Sequence, residues 1–228
     1  MKTKTRSPAA VEKAKVLLID DHPIMREGLG RRINHEADMA VCAEAGTAHE
    51  ALEAIAQAKP DIAIVDISLG DAHGLELIKD IKARYPRLAM LVFSMFDESL
   101  YAERVLHAGA RGYVMKQTRP DTLLGAIRNV LAGEVYLSEE MTRKLVDGIV
   151  HAERAKKAVA PAERLSDREY EIFELMGRGY STKEIAQQLR LSPKTISSHR
   201  ENIRQKLGLP NSAALLRQAM QCVRDGGA

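Results

Sequence analysis

The stretch Asp61-Ile-Ala-Ile-Val-Asp66 decides the fold of this chain, and Ile67 completes it. An unbroken aliphatic run that follows Pro60 and ends on a carboxylate predicts a strand buried on both faces. Open α/β sheets place their ligand sites at the carboxyl ends of their strands, so Asp66 is expected at such a site. Burying a lone carboxylate is costly unless it is paired, bound to a metal or exposed at the strand mouth. The sequence must therefore supply a partner for Asp66.

Four more short apolar runs predict strands that surround this one. They span Lys15 to Asp20, Met39 to Ala45, Leu88 to Ser94 and Gly112 to Met115. A helical pattern follows every strand, so that strand and helix alternate five times. This alternation predicts an α/β fold, a doubly wound five-stranded parallel sheet with right-handed crossovers.

Polar side chains follow four of the five predicted strands. They are Asp20 and Asp21 after the first strand, Asp66 after the third, Ser94 after the fourth and Lys116 after the fifth. Each one alone is an ordinary strand terminus, but together they predict a site at one sheet edge. Clustered carboxylates repel one another unless a hard cation lies among them, and Mg²⁺ prefers carboxylates, waters and phosphate oxygens. Asp66 can then attack a phosphoryl donor, with Ser94 and Lys116 on the new phosphoryl oxygens.

The motifs at these strand ends resemble those of a known family. The motifs are Ile19-Asp20-Asp21-His22, Asp61 to Asp66, Ser94-Met95 and Gly109 to Lys116. Through them the segment from Lys15 to Leu131 resembles the flavodoxin-like receiver domain of bacterial two-component response regulators. The resemblance implies that Asp66 is phosphorylated by a sensor histidine kinase.

The same resemblance implies roles for the residues around Asp66. Mg²⁺ would be held by Asp21, Asp66 and the Ser68 backbone carbonyl, with Asp20 helping through water. Tyr113 would be a switch aromatic that packs inward when Ser94 moves toward the phosphoryl group. An exposed strand tyrosine is the simpler alternative for Tyr113.

The loop after Asp66 departs from the receiver pattern. Family members usually carry a proline there, whereas this chain has Leu69-Gly70-Asp71. We expect a more mobile loop with one extra carboxylate near the metal, and therefore a weaker or differently tuned affinity for Mg²⁺. Titration of the Gly70→Pro variant tests this expectation, which fails if the affinity is unchanged.

The charge of the chain is divided unevenly between its halves. The formal net charge is +3, with 20 basic and 22 acidic residues through Val150 and 14 basic and 9 acidic residues from His151 onward. The basic second half indicates an anionic partner such as nucleic acid, although a plain solvated surface is the alternative. Cys42 and Cys222 lie far apart and are expected to be buried thiols in a reducing compartment.

The second half predicts a small all-α domain of four helices. Ser166 and Glu169 form a capping box before the first helix, and Ser192-Pro193 opens the third. The second and third helices, joined by a short turn at 190–192, form a predicted helix-turn-helix. That motif alone fits a DNA-binding domain and a plain helical bundle equally well.

Three long motifs favour the DNA-binding alternative. Leu165 to Glu169, Gly179 to Ala186 and Leu191 to His199 closely resemble the LuxR-type domain of NarL/FixJ regulators. The resemblance implies double-stranded DNA as the partner and a homodimer on DNA through the last helix, with the receiver as a second dimer contact. The implied DNA-contact residues are Lys183, Lys194, Thr195, Ser197, Ser198, Arg200, Glu201, Asn202 and Arg204.

Two of these residues depart from the LuxR-type pattern. Family members often carry lysines where this chain has Ser197 and Glu201. Fewer counterions would be released on binding, so we expect a shallower salt dependence of DNA affinity.

These patterns predict a flexible segment at 1–14, a receiver domain at 15–132, a partly helical linker at 133–163 and a DNA-binding domain at 164–228. We expect a soluble, cytoplasmic, non-enzymatic transcription regulator with no membrane segment, controlled by phosphorylation of Asp66. One alternative is a regulator that ignores phosphate and uses the receiver as a docking module. Another is a Mg²⁺-dependent phosphohydrolase that uses the same acidic site.

Overall fold

The computed structural model describes residues 13–69, 74–152 and 164–226 of the chain. Three expectations concern other residues: the N-terminal segment through residue 12, the loop at Gly70 and Asp71, and the part of the linker at 153–163. Within the described ranges, an α/β part is followed by a helical part, as the sequence predicts.

Five parallel strands form one sheet in the order β2-β1-β3-β4-β5. The strands are β1 (Ala14–Ile19), β2 (Met39–Ala45), β3 (Ile62–Val65), β4 (Ala89–Ser94) and β5 (Gly112–Met115). Every residue of β3 is buried, because helices cover both faces of the sheet. The direction of winding reverses between β1 and β3, and doubly wound sheets bind their ligands at such a reversal.

Helices cover the sheet and lead away from it. They are α1 (Pro23–Asn34), α2 (Ala48–Ala58), α3 (Gly74–Arg84), α4 (Glu98–Ala108), α5 (Pro120–Leu131) and α6 (Glu139–Ala152). Apolar side chains of α1 and α5 pack on one face, and those of α2, α3 and α4 pack on the other. The side chains of Thr47 and Asp97 accept hydrogen bonds from backbone N–H groups in the first turns of α2 and α4, which fixes where these helices begin.

The helical part that follows has the predicted capping residues. Its helices are α7 (Asp167–Gly177), α8 (Thr182–Gln188), α9 (Pro193–Lys206) and α10 (Ser212–Gly226). The capping box of Ser166 and Glu169 is formed, and Ser192 accepts a hydrogen bond from the Thr195 N–H. Gly177 permits a close crossing of α7 and α10, since a Cβ there would lie 2.4 Å from the Ala219 carbonyl oxygen.

The two cysteines differ from expectation in their burial. Both are thiols, as predicted, but both are only half-buried. Cys42 lies on β2, which is an edge strand of the sheet, so one side of that strand has no neighbouring strand. The prediction that both thiols are buried was therefore wrong.

Candidate functional site

Backbone pairing brings the carboxyl ends of four strands to one level. Ile19 is in register with Val65, Val65 with Val92, and Ser94 with Met115. The residues that follow these positions leave the sheet at the same edge. The polar residues that the sequence predicts at the strand ends therefore converge.

The acidic pocket at this edge consists of Asp20, Asp21, Asp66 and Lys116. The Asp66 N–H donates to the Ile19 carbonyl oxygen at 2.8 Å, which fixes Asp66 against the end of β1. Lys116 Nζ lies 2.6 Å from Asp20 Oδ2 and 2.7 Å from Asp66 Oδ2, and its side chain is only 3% exposed. The ammonium offsets the repulsion between these two buried carboxylates.

Burial and charge together set the protonation behaviour of the pocket. Burial raises the pKa of the Asp66 carboxyl above its usual value, and the charge and hydrogen bond of Lys116 reverse this only in part. Burial lowers the pKa of Lys116, but Asp66 and Asp20 raise it by more, so its net shift is upward. Lys116 thus keeps its proton and places a fixed positive charge beside Asp66.

The carboxylates of the acidic pocket are close enough to share a cation. Candidate ligand atoms of Asp20, Asp21, His22 and Asp66 all lie within 4.8 Å of one another. Asp21 Oδ1 is buried without a hydrogen bond, because His22 Nδ1, 2.7 Å away, lies in a geometry that forms none. A buried carboxylate oxygen without a donor fits a metal ligand, and Mg²⁺ prefers oxygen ligands. His22 is absent from the predicted ligand set, and Ser68 meets Asp66 through its N–H, which donates to Asp66 Oδ1 at 3.2 Å.

α3 approaches the acidic pocket closely at Gly74. The Gly74 N–H donates to the Ile67 carbonyl oxygen at 2.8 Å, and a Cβ on Gly74 would lie 2.3 Å from the Asp66 carbonyl oxygen. Such a distance excludes any side chain without a shift of the backbone. Gly74 is not among the residues predicted from sequence, although a glycine directly before the apolar run of a helix indicates a close approach of this kind.

Ser94 lies at the end of β4, the strand next to β3, and Tyr113 lies on β5, which pairs with the other side of β4. Ser94 is fully buried, and its Oγ accepts a hydrogen bond from the Phe96 N–H at 3.3 Å. Tyr113 is 1% exposed, and its hydroxyl donates to the Phe96 carbonyl oxygen at 2.9 Å. The inward position of the ring excludes an exposed strand tyrosine. Burial raises the pKa of the Tyr113 hydroxyl well above its usual value, so the group remains a donor.

An aromatic cluster joins the sheet-bearing part of the chain to α7. The rings of Phe96 and Tyr101 stack with their centroids 5.0 Å apart, and Tyr101 meets the edge of Tyr170 at 5.3 Å. The Arg104 guanidinium lies 4.2 Å from the centroid of the Tyr170 ring. These contacts connect α4, which follows the strand that bears Ser94, with the first helix of the second part.

Four residues on α7 meet the sheet-bearing part, and we call them the docking face: Asp167, Tyr170, Glu171 and Glu174. Asp167 is paired with two basic side chains from the first part of the chain. Arg104 Nη1 lies 2.8 Å from Asp167 Oδ1, and Lys79 Nζ lies 2.7 Å from Asp167 Oδ2. Asp167 thus joins α3 and α4 to the beginning of α7.

Two carboxylates of the docking face are almost fully buried. Glu171 is paired with Arg168 at 2.5 Å, and Glu174 with Arg178 at 2.6 Å. Burial raises the pKa of each to about 7, and the arginine beside each one counteracts this only in part. At neutral pH these two groups therefore titrate near the ambient pH.

A cavity of about 530 Å³ lies between the acidic pocket and the second part of the chain. Asp21, Asp66 and Lys116 line one side of it, and Arg178 and Arg190 line the other. Arg190 Nη2 reaches 3.1 Å from Asp21 Oδ2. Arg190 and the docking face are not among the residues predicted from sequence, because their partners belong to the other half of the chain and no local pattern indicates them.

Most of the predicted DNA-contact residues lie on the open face of α9. Exposed residues are Lys183 on α8 and Lys194, Ser197, Ser198, Glu201 and Asn202 on α9, while Thr195, Arg200 and Arg204 are half-buried. The two arginines are engaged within the domain. Arg200 Nη1 donates to Thr182 Oγ1 at 2.6 Å, and Arg204 donates to Glu201 at 2.6 and 2.9 Å.

Comparison with known proteins gives two family matches along the chain. Residues 16–128 match the response regulator receiver domain family, and residues 163–219 match the luxR family of bacterial regulatory proteins. The oxygen regulatory protein NreC of Staphylococcus aureus is 36% identical over 210 residues, which cover 91% of this chain and 97% of that protein. No helix in the described part of the chain is long and apolar enough to cross a membrane.

Similar solved structures extend these matches. RcsB from Salmonella enterica serovar Typhimurium, bound to a promoter with the phosphomimetic BeF3⁻, has a TM-score of 0.60 and 28% identity, and the match covers 91% of this chain and 98% of RcsB. A LuxR-family two-component response regulator from an Aurantimonas species has a TM-score of 0.57 and 35% identity, covering 61% of this chain and 99% of that one. Together with the acidic pocket and the helix-turn-helix, these similarities show that the chain belongs to the NarL/FixJ family of two-component response regulators, which are phosphorylation-controlled transcription regulators.

Proposed function

We propose that Asp66 accepts a phosphoryl group from a sensor histidine kinase and that this controls DNA binding by the second domain. The observation that carries the proposal is the buried pair of Asp66 and Lys116, whose charged atoms are 2.7 Å apart. An ammonium held beside the acceptor carboxylate can bind the oxygens of a phosphoryl group formed there. Asp66 is then the nucleophile, and Lys116 orients and stabilises the product.

We propose that Mg²⁺ binds in the acidic pocket. Asp21 and Asp66 would be direct ligands, with the Ser68 backbone carbonyl as a third and Asp20 acting through water. The buried Asp21 Oδ1, which has no hydrogen bond, supports this assignment. The bound ion would supply positive charge that offsets the carboxylates and the phosphoryl oxygens. Lys116 alone offers a single charge to three carboxylates.

The Ser94 and Tyr113 pair would transmit the phosphorylation state. Both residues bond to Phe96, Ser94 through the Phe96 N–H and Tyr113 through the Phe96 carbonyl oxygen. A movement of Ser94 Oγ toward a phosphoryl oxygen would therefore change the hydrogen bonds that position Phe96. Phe96 stacks on Tyr101, so the change reaches the contact between α4 and α7.

DNA binding would use the open face of α9, which we propose as the recognition helix. Lys183, Lys194 and Thr195 would approach phosphates, and Ser197, Ser198, Glu201 and Asn202 would lie toward base edges, with Arg200 and Arg204 as further contacts. RcsB, solved on promoter DNA, supports the same use here. A homodimer on DNA would form through α10, where Leu216 and Met220 are 37% and 42% exposed.

We propose a cytoplasmic regulator rather than an enzyme. Phosphohydrolase activity would need a general acid beyond Asp66, and the hydroxyl of Ser68 does not serve that role. The buried pair of Asp66 and Lys116 favours phosphoryl acceptance over a receiver that acts only as a phosphate-independent docking module. Repeated hydrolysis of a small phosphate ester by the protein would contradict the proposal that it is not an enzyme.

Phosphorylation and DNA binding can be measured on the same protein. The full chain is treated with acetyl phosphate and Mg²⁺, and the phosphoryl group is located by mass spectrometry. DNA affinity is measured by fluorescence anisotropy, with and without beryllofluoride. We expect one phosphoryl group on Asp66 and an increase in affinity of about fivefold or more.

Two aspartate variants make the test specific. Asp66→Asn should abolish phosphorylation and the response to beryllofluoride. Asp61→Asn is the matched control, because Asp61 immediately precedes the same strand at its opposite end, where it accepts a hydrogen bond from the Lys15 N–H. Phosphorylation of the Asp66→Asn protein, or a DNA affinity that ignores beryllofluoride in the native chain, would refute the proposal.

A further inference from the structure

Arg190 occupies an unusual position in the turn of the helix-turn-helix. It lies between α8 and α9 with φ +52°, in the left-handed region that favours glycine or asparagine. The turn itself therefore gives no reason for an arginine. The arginine side chain instead crosses to the first domain, where its Nη2 lies 3.1 Å from Asp21 Oδ2.

Arg190 places a positive charge beside the one carboxylate of the acidic pocket that Lys116 does not contact. Lys116 Nζ lies within 2.7 Å of Asp20 and of Asp66, but Asp21 is absent from its contacts. Asp21 has one oxygen on Arg190, and the other is buried without a hydrogen bond although it lies 2.7 Å from His22 Nδ1. The second domain thus supplies a positive charge to the carboxylate that the pocket's own lysine does not neutralise.

We propose that Arg190 acts as a tethered cation that competes with Mg²⁺ for Asp21. The inference rests on the proposed function, because it concerns the metal site assigned there. With Arg190 on Asp21, the pocket is partly neutralised and the second domain is docked. With Mg²⁺ on Asp21, the guanidinium meets a divalent cation at the same carboxylate, and like charges repel. Binding of Mg²⁺ to Asp21 therefore opposes docking of the second domain through Arg190, and docking opposes Mg²⁺ binding.

The expected size of the competition follows from the exposure of Arg190. Its side chain is 58% exposed, so the pair with Asp21 is partly screened by water. We expect Arg190 to weaken Mg²⁺ binding by about two- to fivefold, as for an exposed ion pair of ordinary strength. By linkage, Mg²⁺ must weaken docking of the second domain by the same factor. Binding of Mg²⁺ would prepare the acidic pocket for phosphorylation and at the same time weaken docking of the second domain against the pocket.

The test is a Mg²⁺ titration of the full-length, unphosphorylated protein by isothermal calorimetry. Arg190→Gln removes the charge while keeping a long polar side chain, and should lower the Kd for Mg²⁺ by about two- to fivefold. Arg190→Lys keeps the charge and should restore a Kd close to that of the native chain. Arg217→Gln, an exposed arginine on α10, is the matched control and should leave the Kd unchanged.

Hydrogen exchange provides a second readout that does not depend on the heat of binding. Added Mg²⁺ should speed exchange in α7 and in the turn at Arg190 of the native chain, and should have a smaller effect in Arg190→Gln. Equal Kd values for the native chain and Arg190→Gln would overturn the inference while leaving the metal site intact. No Mg²⁺ binding in any variant would instead overturn the metal site of the proposed function, and the inference with it.

Discussion

Two helices of the DNA-binding domain meet their surroundings in opposite ways. Nine of the eleven residues of α7 are buried, including four acidic ones, whereas only Ile196 and Ile203 are buried among the fourteen residues of α9. α7 is enclosed because its own domain covers one side and the receiver covers the other. The two domains therefore dock through α7 and the turn at Arg190, and α9 stays open.

We expect the largest effect from Asp167→Ala, a substitution that disrupts the docking face. Asp167→Ala removes the carboxylate shared by Lys79 and Arg104, and leaves the half-enclosed Arg104 guanidinium without this charged partner. Loss of a partner for such a group costs about 1–3 kcal/mol, so the ratio of docked to separated molecules should fall by roughly fivefold or more. Paired spin labels, one in each domain, would report the change in interdomain distance.

The same variant tests whether the docking face and the open face are independent. Asp147→Ala, on the exposed side of α6, is the control for loss of a carboxylate and should keep the domains docked. The rate at which Asp167→Ala associates with DNA should stay close to that of the native chain, because α9 is already open. A large gain in the association rate would show that docking hinders access to DNA despite the open helix.

A second effect concerns pH and the buried carboxylates Glu171 and Glu174. Burial raises the pKa of each from 4.5 to about 7 in the docked molecule. Below pH 4.5 both groups are protonated whether the domains are docked or apart, so docking carries no penalty. Between pH 4.5 and 7, Glu171 and Glu174 lose their protons when the domains are apart but keep them when the domains are docked. Docking therefore weakens as the pH rises. The loss is up to about 1.4 kcal/mol per unit of pKa shift for each group. Above pH 7 the penalty is constant.

Spin-label distances measured from pH 5.5 to 8 check this dependence. The double variant Glu171→Gln with Glu174→Gln should dock at pH 8 at least as well as the native chain does at pH 5.5, because the native chain already carries part of the penalty at pH 5.5. Glu139→Gln, an exposed glutamate of α6, serves as the control. A native chain whose docking is equally strong across this range would contradict the assignment.

We expect the smallest effect from a substitution of Glu201, which lies on the open face of α9. Glu201 accepts hydrogen bonds from Arg204 and Gln205, and the bond from Arg204 holds the pKa of its carboxyl down to about 2. Glu201→Gln should free the Arg204 charge for a DNA phosphate. The slope of log affinity against log salt should then steepen by about one unit. Glu184→Gln, which preserves the capping box of α8, should leave the slope unchanged.

The sequence predicts well those features that depend on local patterns. The aliphatic run before Asp66 and the capping residue Ser166 each act within a few positions, and the polar strand ends converge because parallel strands share an edge. The docking face could not be predicted in this way. Glu171 and Glu174 have the spacing of a solvated helix face, and they are buried by α4 and its neighbours, from the other half of the chain. The role of Arg190 could not be predicted for the same reason, because its partner Asp21 belongs to the other half of the chain.

The open recognition helix has a consequence for the kinetics of DNA binding. Since the receiver does not cover α9, the docked protein can meet DNA without first separating its domains. We therefore expect the association rate to be nearly the same with and without phosphate on Asp66. Phosphorylation would act on the time that two joined DNA-binding domains remain on adjacent half-sites. The regulator would scan DNA at all times, and its signal would decide how long it stays.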